Sequence, residues 1–290
     1  MVDIGAGSGV WAVAAACLGA RRVVAVEREV LLVPVIERLA RENGVANRVE
    51  VVRADARRLE LPREFDVVVS ELVGNAAFDE GIVAVLARAR ERFLRAGGTL
   101  IPEQLALRAA PVRVPSLAPS GIQVASFDEL AVHAPRIVDP HHAQALARSR
   151  ELLRVDLRRA RPGQALPLAR ARFSLKDGRA VTGLAVWVEV DLAPGIMLST
   201  RAGTHWAPIL LPIQALPAGP GELQFEIDWN PKRRRWRVGF EGRTGSWPVA
   251  DYSPLFAWGS VRPAMRDRHR GSRRETRATP SLGQRQAERH

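Results

Sequence analysis

The sequence has a single cysteine, Cys17, so no internal disulfide can form, and a reducing cytoplasm is its simplest home. No apolar run approaches the roughly 18 residues of a membrane-spanning helix. The N-terminus lacks the basic-then-apolar pattern of a secretory leader. Lysine is almost missing: only Lys176 and Lys232 occur, and arginine carries the rest of the positive charge. So one-sided a choice reflects GC-rich coding as much as selection for polyanions. Aromatic residues make up only 6%, which leaves little for stacking. Disulfide scaffolds and helical membrane proteins are thereby excluded.

What is present suits a globular chain. The 290 residues are enough for one large domain or two ordinary ones, and 47% hydrophobic content allows a substantial core. The net charge is +12, and residues 262–290 hold nine arginines against three acids, about half of that excess. This tail has almost no apolar periodicity and is expected to be disordered. It reads as a solvated segment rather than as a nucleic-acid contact.

Residues Val2 to Val10 read V-D-I-G-A-G-S-G-V. An apolar strand end carrying Asp3 runs into Gly5, Gly7 and Gly9, and Val10 to Leu18 then reads as an Ala-rich helix. Glycines at such a turn permit positive φ and let a ligand lie against bare backbone, with unpaired helix N–H groups beyond. The spacing G-x-G-x-G differs from the G-x-G-x-x-G of dinucleotide binders and is closer to class I S-adenosylmethionine (SAM) methyltransferases.

Strand and helix then alternate. Arg22–Glu27, Val49–Arg53 and Phe65–Ser70 read as strands, Val30–Asn43 and Ile82–Leu94 as helices, and Thr99 opens a further strand. Continuous Val/Ile strands between helices indicate a parallel sheet covered on both faces. The glycine loop, Glu27, Asp55 and Glu71 all fall at the carboxyl ends of its strands, where such sheets bind ligands. After about Gln104 the pattern becomes short alternating segments separated by Pro, Gly and Asp177-Gly178 turns, an antiparallel sandwich or barrel. A helix is expected at Ala143–Arg150.

Four features carry chemistry. Glu27, at a strand end, suits the two ribose hydroxyls of an adenosine-type ligand. Asp55, in R-A-D-A-R, suits either an adenine amino group or a structural cap. Glu71 and Glu80 bracket the glycine-containing turn at Gly74, and such a loop curls two carboxylates toward one point that attracts a cation. Read on spacing alone, two ordinary surface acids is the favoured reading. Thr204-His205-Trp206 precedes an apolar strand, where a histidine beside tryptophan more often packs than reacts.

The order V-D-I-G-A-G-S-G, A-V-E, V-S-E-x-x-G-x5-E, I-P and T-H-W resembles the protein arginine N-methyltransferases over roughly residues 2–245. The resemblance implies a Rossmann-like SAM-binding α/β domain (1–104) and an antiparallel β-barrel (105–258) with a short helical arm near 127–150, ahead of the basic tail (259–290). It makes SAM the cofactor, held by Asp3, Gly5, Gly7, Gly9, Glu27 and Asp55. Glu71 and Glu80 become the clamp on a protein or small-molecule guanidinium. His205 becomes a catalytic residue, with Thr204 and Trp206 lining the substrate pocket. A homodimer is also implied. The match starts at the glycine strand itself, so an N-terminally truncated bacterial homologue is expected. The family's W-M-G-Y is Leu72-Val73-Gly74-Asn75 here, and its adenine-contacting acid aligns with Arg57, leaving Asp55 as the substitute. Two alternatives stay open: a class I methyltransferase with another acceptor (a protein lysine or a small molecule), and a catalytically inactive methyltransferase-fold binding module.

Overall fold

The computed structural model describes residues 1–75, 77–78, 80–115, 135–201, 204–229 and 235–242, and the backbone of 245–252. Residues 1–258 make one compact unit. The arm residues 127–134 and the tail 259–290 lie outside the described residues.

The first half is a five-stranded parallel sheet. Its strands are β1 (Val2–Ile4), β2 (Val23–Glu27), β3 (Val49–Arg53), β4 (Phe65–Ser70) and β5 (Leu94–Ile101), in the order β3-β2-β1-β4-β5. Period-two alternation divides each inner strand between two cores. Val2, Ile4, Val24 and Val26 face the larger cluster with α3 (Ile82–Arg92), whereas Val23 and Ala25 face α1 (Val10–Cys17) and α2 (Val33–Glu42). Asp3 pairs in register with Ala25, so Asp3 and Glu27 share the α1 face. Both faces are covered, which explains why β2 is buried along its whole length. The chain leaves β1 for β2 and β3 on one side and for β4 and β5 on the other. The crevice between the ends of β1 and β4 is therefore the topological switch point, the place where doubly wound sheets take ligands.

The second half is antiparallel. One sheet joins β10 (Ala169–Leu175), β14 (Gly221–Asp228), β15 (Arg235–Gly242) and β16 (Gly245–Tyr252). The other joins β7 (Arg136–Ile137), β13 (Ile209–Pro212), β11 (Gly183–Ala193), β6 (Gln104–Arg113) and β8 (Gln144–Ala145), with β9 (Arg150–Asp156) also on β6 and β12 (Ile196–Ser199) on β11. Their inner faces share one core with the α3 side of the parallel sheet, from Leu86 and Phe93 through Leu107 and Val188 to Phe225 and Trp236. This is the Rossmann-like sheet followed by an antiparallel barrel that the sequence pattern implies.

The helix expected at Ala143–Arg150 is not there. Gln144–Ala145 pairs with Val112 and Arg113 as an edge strand, and Arg150 opens β9. Over the described residues 135–150 the arm holds short strands and turns, because β6 offers free edge positions that outweigh local helix propensity. Among the described residues no helix is long and apolar enough to cross a membrane.

Candidate active site

The glycine loop is built from left-handed backbone. Gly5, Gly7 and Gly9 have φ of +70°, +56° and +82°. A Cβ on Gly5 would sit 2.8 Å from Leu72, and one on Gly9 2.6 Å from Ile36, so both are fixed by close packing as well as by φ. Gly7 differs: the nearest atom to its Cβ would be Gly5 O at 3.9 Å, which leaves this face of the loop open to a ligand. The loop is tied down by Gly5 and Ala6 amides donating to Val26 O at 2.9 and 3.0 Å.

Glu27 is buried and completes that tie. Its Oε2 accepts from Gly7 N at 2.8 Å, and its Oε1 from Arg28 N and Glu29 N at 2.7 and 2.8 Å. Three of the roughly four acceptor sites of a carboxylate are thus taken by backbone. Behind the loop, Asp3 is 1% exposed and its Oδ2 has no hydrogen-bond partner. Burial pushes its carboxyl up to about 7; the Ala12 backbone amide works against that rise and Glu27 adds to it. An unsatisfied buried carboxylate oxygen beside an open glycine face suits a cationic ligand with hydroxyl donors.

Glu71 follows β4 directly, and Ser70 Oγ donates to Ile4 O at 2.8 Å, fixing the end of β4 to β1. Glu71 remains open to solvent along one side, yet its carboxyl is raised to about 7. Loss of hydration is the largest cause, followed by repulsion from Glu80 and then from Asp3. Glu80 and Asp3 thus both act on the Glu71 carboxyl, behind the larger effect of lost hydration. The loop between them turns at Gly74–Ala77, where Ala77 N donates to Gly74 O at 2.9 Å and Ala77 is held at φ +69°. For alanine that conformation costs on the order of 1–2 kcal/mol, so surrounding packing must impose it.

The barrel supplies that packing. Trp206 Nε1 donates to Val73 O at 2.9 Å, linking the T-H-W segment to the loop two residues after Glu71. Phe78 stands edge-on to Trp229, ring centres 5.6 Å apart, two residues before Glu80. His205 is exposed and lies against Trp206 with ring centres 3.9 Å apart, and Thr204 Oγ1 reaches Trp206 O at 3.4 Å. A cavity of about 620 Å³ adjoins the far side of Phe78 and Gly81, lined also by Trp229, Glu226 and Arg237. Neither Trp229 nor the Val73 carbonyl was legible as functional beforehand, since the contacts of a lone tryptophan and of a backbone oxygen leave no spacing signal.

Asp55 stands two residues past β3, at the expected edge. Its carboxylate is engaged by its own turn, with Oδ1 accepting from Arg57 N at 3.0 Å and Oδ2 from the Arg57 guanidinium at 2.8 Å. Arg57 holds the carboxyl down at about 2. Of the two readings open for Asp55, the turn cap is the one this geometry displays.

Comparisons with known proteins agree on a methyltransferase. The family described as ribosomal protein L11 methyltransferase matches residues 1–102. The arginine N(omega)-methyltransferase of Streptomyces achromogenes subsp. streptozoticus is 30% identical over 250 residues, 79% of this chain and 68% of that protein. Protein arginine N-methyltransferase 6 of Danio rerio is 33% identical over 112 residues, 39% of this chain and 32% of its own length. Among solved structures, the Trypanosoma brucei PRMT1 enzyme–prozyme heterotetrameric complex with AdoHcy superposes with a TM-score of 0.72 at 17% identity, covering 88% of each chain. Arabidopsis thaliana protein arginine methyltransferase 10 gives 0.68 at 19% identity, covering 87% of each. These two establish the fold alone. The Streptomyces match, extending over most of both proteins, establishes more: the chain belongs to the arginine N-methyltransferase family of SAM-dependent methyltransferases.

Proposed function

We propose that this enzyme transfers a methyl group from SAM to a guanidinium nitrogen of arginine held between Glu71 and Glu80. The place of Glu71, directly after β4 beside the switch point, with Glu80 adding to the rise of its carboxyl, supports the reading. A planar cation between the two carboxylates would relieve that repulsion. A guanidinium presents five donors in a fixed fork that two carboxylates grip bidentately.

Asp3, Gly5, Gly7, Gly9 and Glu27 are the proposed holders of SAM, and Asp55 is assigned to its turn. The fit rests on the open face at Gly7 and the unpartnered Asp3 Oδ2. When bound, SAM supplies an electrophilic methyl on a sulfonium. Glu71 and Glu80 orient the acceptor and draw its positive charge onto the nitrogen that does not react, which leaves the other with more lone-pair character. Positioning is therefore the main lever, and a well-oriented pair of reactants gains roughly 7–11 kcal/mol this way. The proton leaves late, so no strong base is needed; His205 is the proposed acceptor, with Thr204 and Trp206 lining the pocket.

A second reading, an acceptor in a ribosomal protein, rests on the family match over residues 1–102. Radiolabelled SAM offered with free L-arginine, an arginine-containing peptide and ribosomal proteins separates the two. Label on a guanidinium, lost by about 100-fold or more in both Glu71→Gln and Glu80→Gln, is the expected outcome. Undiminished transfer in both variants would refute the clamp, and label confined to amino groups of a ribosomal protein would favour the second reading.

A further inference from the structure

A separate cavity of about 210 Å³ opens on the barrel, remote in sequence from both glutamates. It exists because small side chains meet there: Ala110 from β6, Ala145 from β8 and Ala185 from β11 leave space that larger residues would fill. Trp187, 4% exposed, forms an aromatic wall, and the Arg201 guanidinium lies 5.2 Å over its ring. Arg148 stands at the same cavity.

The charge here is unbalanced. Among the described residues, neither Arg148 nor Arg201 has a carboxylate partner. The neighbouring acids are engaged elsewhere: Glu189 pairs with Arg108 at 3.2 Å, and Asp139 faces His142 at 3.4 Å. Two guanidinium groups with no carboxylate partner among the described residues, beside an apolar recess with an aromatic wall, are complementary to one class of ligand, an anion with an apolar body. The volume admits about seven water-sized groups at roughly 30 Å³ each, which suits a ring or a branched chain but no nucleotide.

We propose that this cavity binds a small organic acid, its carboxylate held by Arg148 and Arg201 and its aromatic or branched body resting against Trp187. Arginine suits this role because its planar fork takes a carboxylate bidentately while its face stacks on tryptophan. Position gives the site a consequence. Arg201 and Pro208, both lining the cavity, stand on either side of Thr204–Trp206, whose indole holds Val73. A bound acid touches both stems of that segment and restrains it.

Benzoate and benzamide are the probes, nearly equal in shape and different in charge, titrated calorimetrically into the whole chain. Benzoate is expected to bind at least about tenfold more tightly than benzamide, with that margin shrinking at high salt. The double variant Arg148→Ala/Arg201→Ala should reduce benzoate to the benzamide level. Ala145→Leu, on an exposed edge strand where folding tolerates it, should fill the cavity and weaken both probes. Equal affinities for the two probes, benzoate binding unaltered by Ala145→Leu, or no benzoate binding up to roughly 10 mM would each overturn the site. None of these outcomes depends on which acceptor the enzyme methylates.

Discussion

Replacing Glu71 by glutamine should stabilise the protein while disabling it. The Glu71 carboxyl rises from 4.5 to about 7 because folding strips part of its hydration and sets it beside Glu80 and Asp3. At about 1.36 kcal/mol per unit, such a rise corresponds to about 3 kcal/mol. Glu71 keeps one side in solvent, so screening reduces the cost to roughly 1–2 kcal/mol. The sign follows from proton counting. Between pH 4.5 and 7 the folded chain retains a proton that the unfolded chain has released, so stability falls as pH rises through that window and stays low above it. Glutamine carries no charge at either end. Glu71→Gln should therefore melt at the wild-type temperature near pH 4.5 and some 2–6 °C higher at pH 8, as sized for a unit of this length. Parallel melts at the two pH values, followed by circular dichroism, together with methyl transfer at pH 8, make the assay. A gain of equal size at both pH values, or a loss at pH 8, would refute the claim that folding holds the Glu71 charge at a cost.

Other consequences are equally direct. Trp206→Phe removes the hydrogen bond to Val73 O and keeps most of the ring; about 1 kcal/mol of stability should go, with kcat falling roughly 5- to 20-fold at unchanged SAM affinity. An unaltered kcat would mean that the clamp needs no tether from the barrel. Gly9→Ala forces alanine to φ +82° and drives its Cβ to 2.6 Å from the buried Ile36, so urea unfolding should report a loss of about 2–4 kcal/mol; a loss below about 0.5 kcal/mol would show that the loop relaxes freely. Arg57→Ala frees Asp55 and should leave SAM affinity within about twofold, because the carboxylate serves its turn. Its cost to stability, under about 1 kcal/mol near neutrality, should fade as pH falls toward 2, where Asp55 protonates in the folded chain. A tenfold change in SAM affinity on that substitution would return Asp55 to the cofactor site.

The parallel sheet was readable because its signals are local. Val/Ile runs, glycine at a strand-to-helix turn and acids at strand ends each depend on a few neighbouring residues. The segment A-Q-A-L-A-R-S-R misled because its alanines favour helix, whereas the outcome was decided by a pairing with Val112 and Arg113, some thirty residues away. The strand expected to open at Thr99 begins at Leu94, so Gly97 and Gly98 lie inside β5, whose register with β4 shifts between Phe65 and Val67. The strand at Ile196–Ser199 was missed because its apolar residues stay largely exposed and give no burial pattern. At the site, the resemblance singled out Glu71 and Glu80, whereas the loss of hydration that raises Glu71 and the strained turn at Ala77 are tertiary properties.

The anchoring of the Glu71–Glu80 loop by Trp206 and Trp229 has a consequence for the order in which the enzyme comes to life. Synthesis proceeds from the N-terminus, so the glycine loop and both glutamates leave the ribosome well before either tryptophan. With Trp229 lying 149 positions after Glu80 and elongation at roughly 5–20 residues per second, that interval is on the order of ten seconds. During it, a nascent chain holds the glycine loop and both glutamates but neither of the tryptophans that pack on the loop between them. On the proposed reading, the acceptor clamp is complete only once the barrel has packed against that loop.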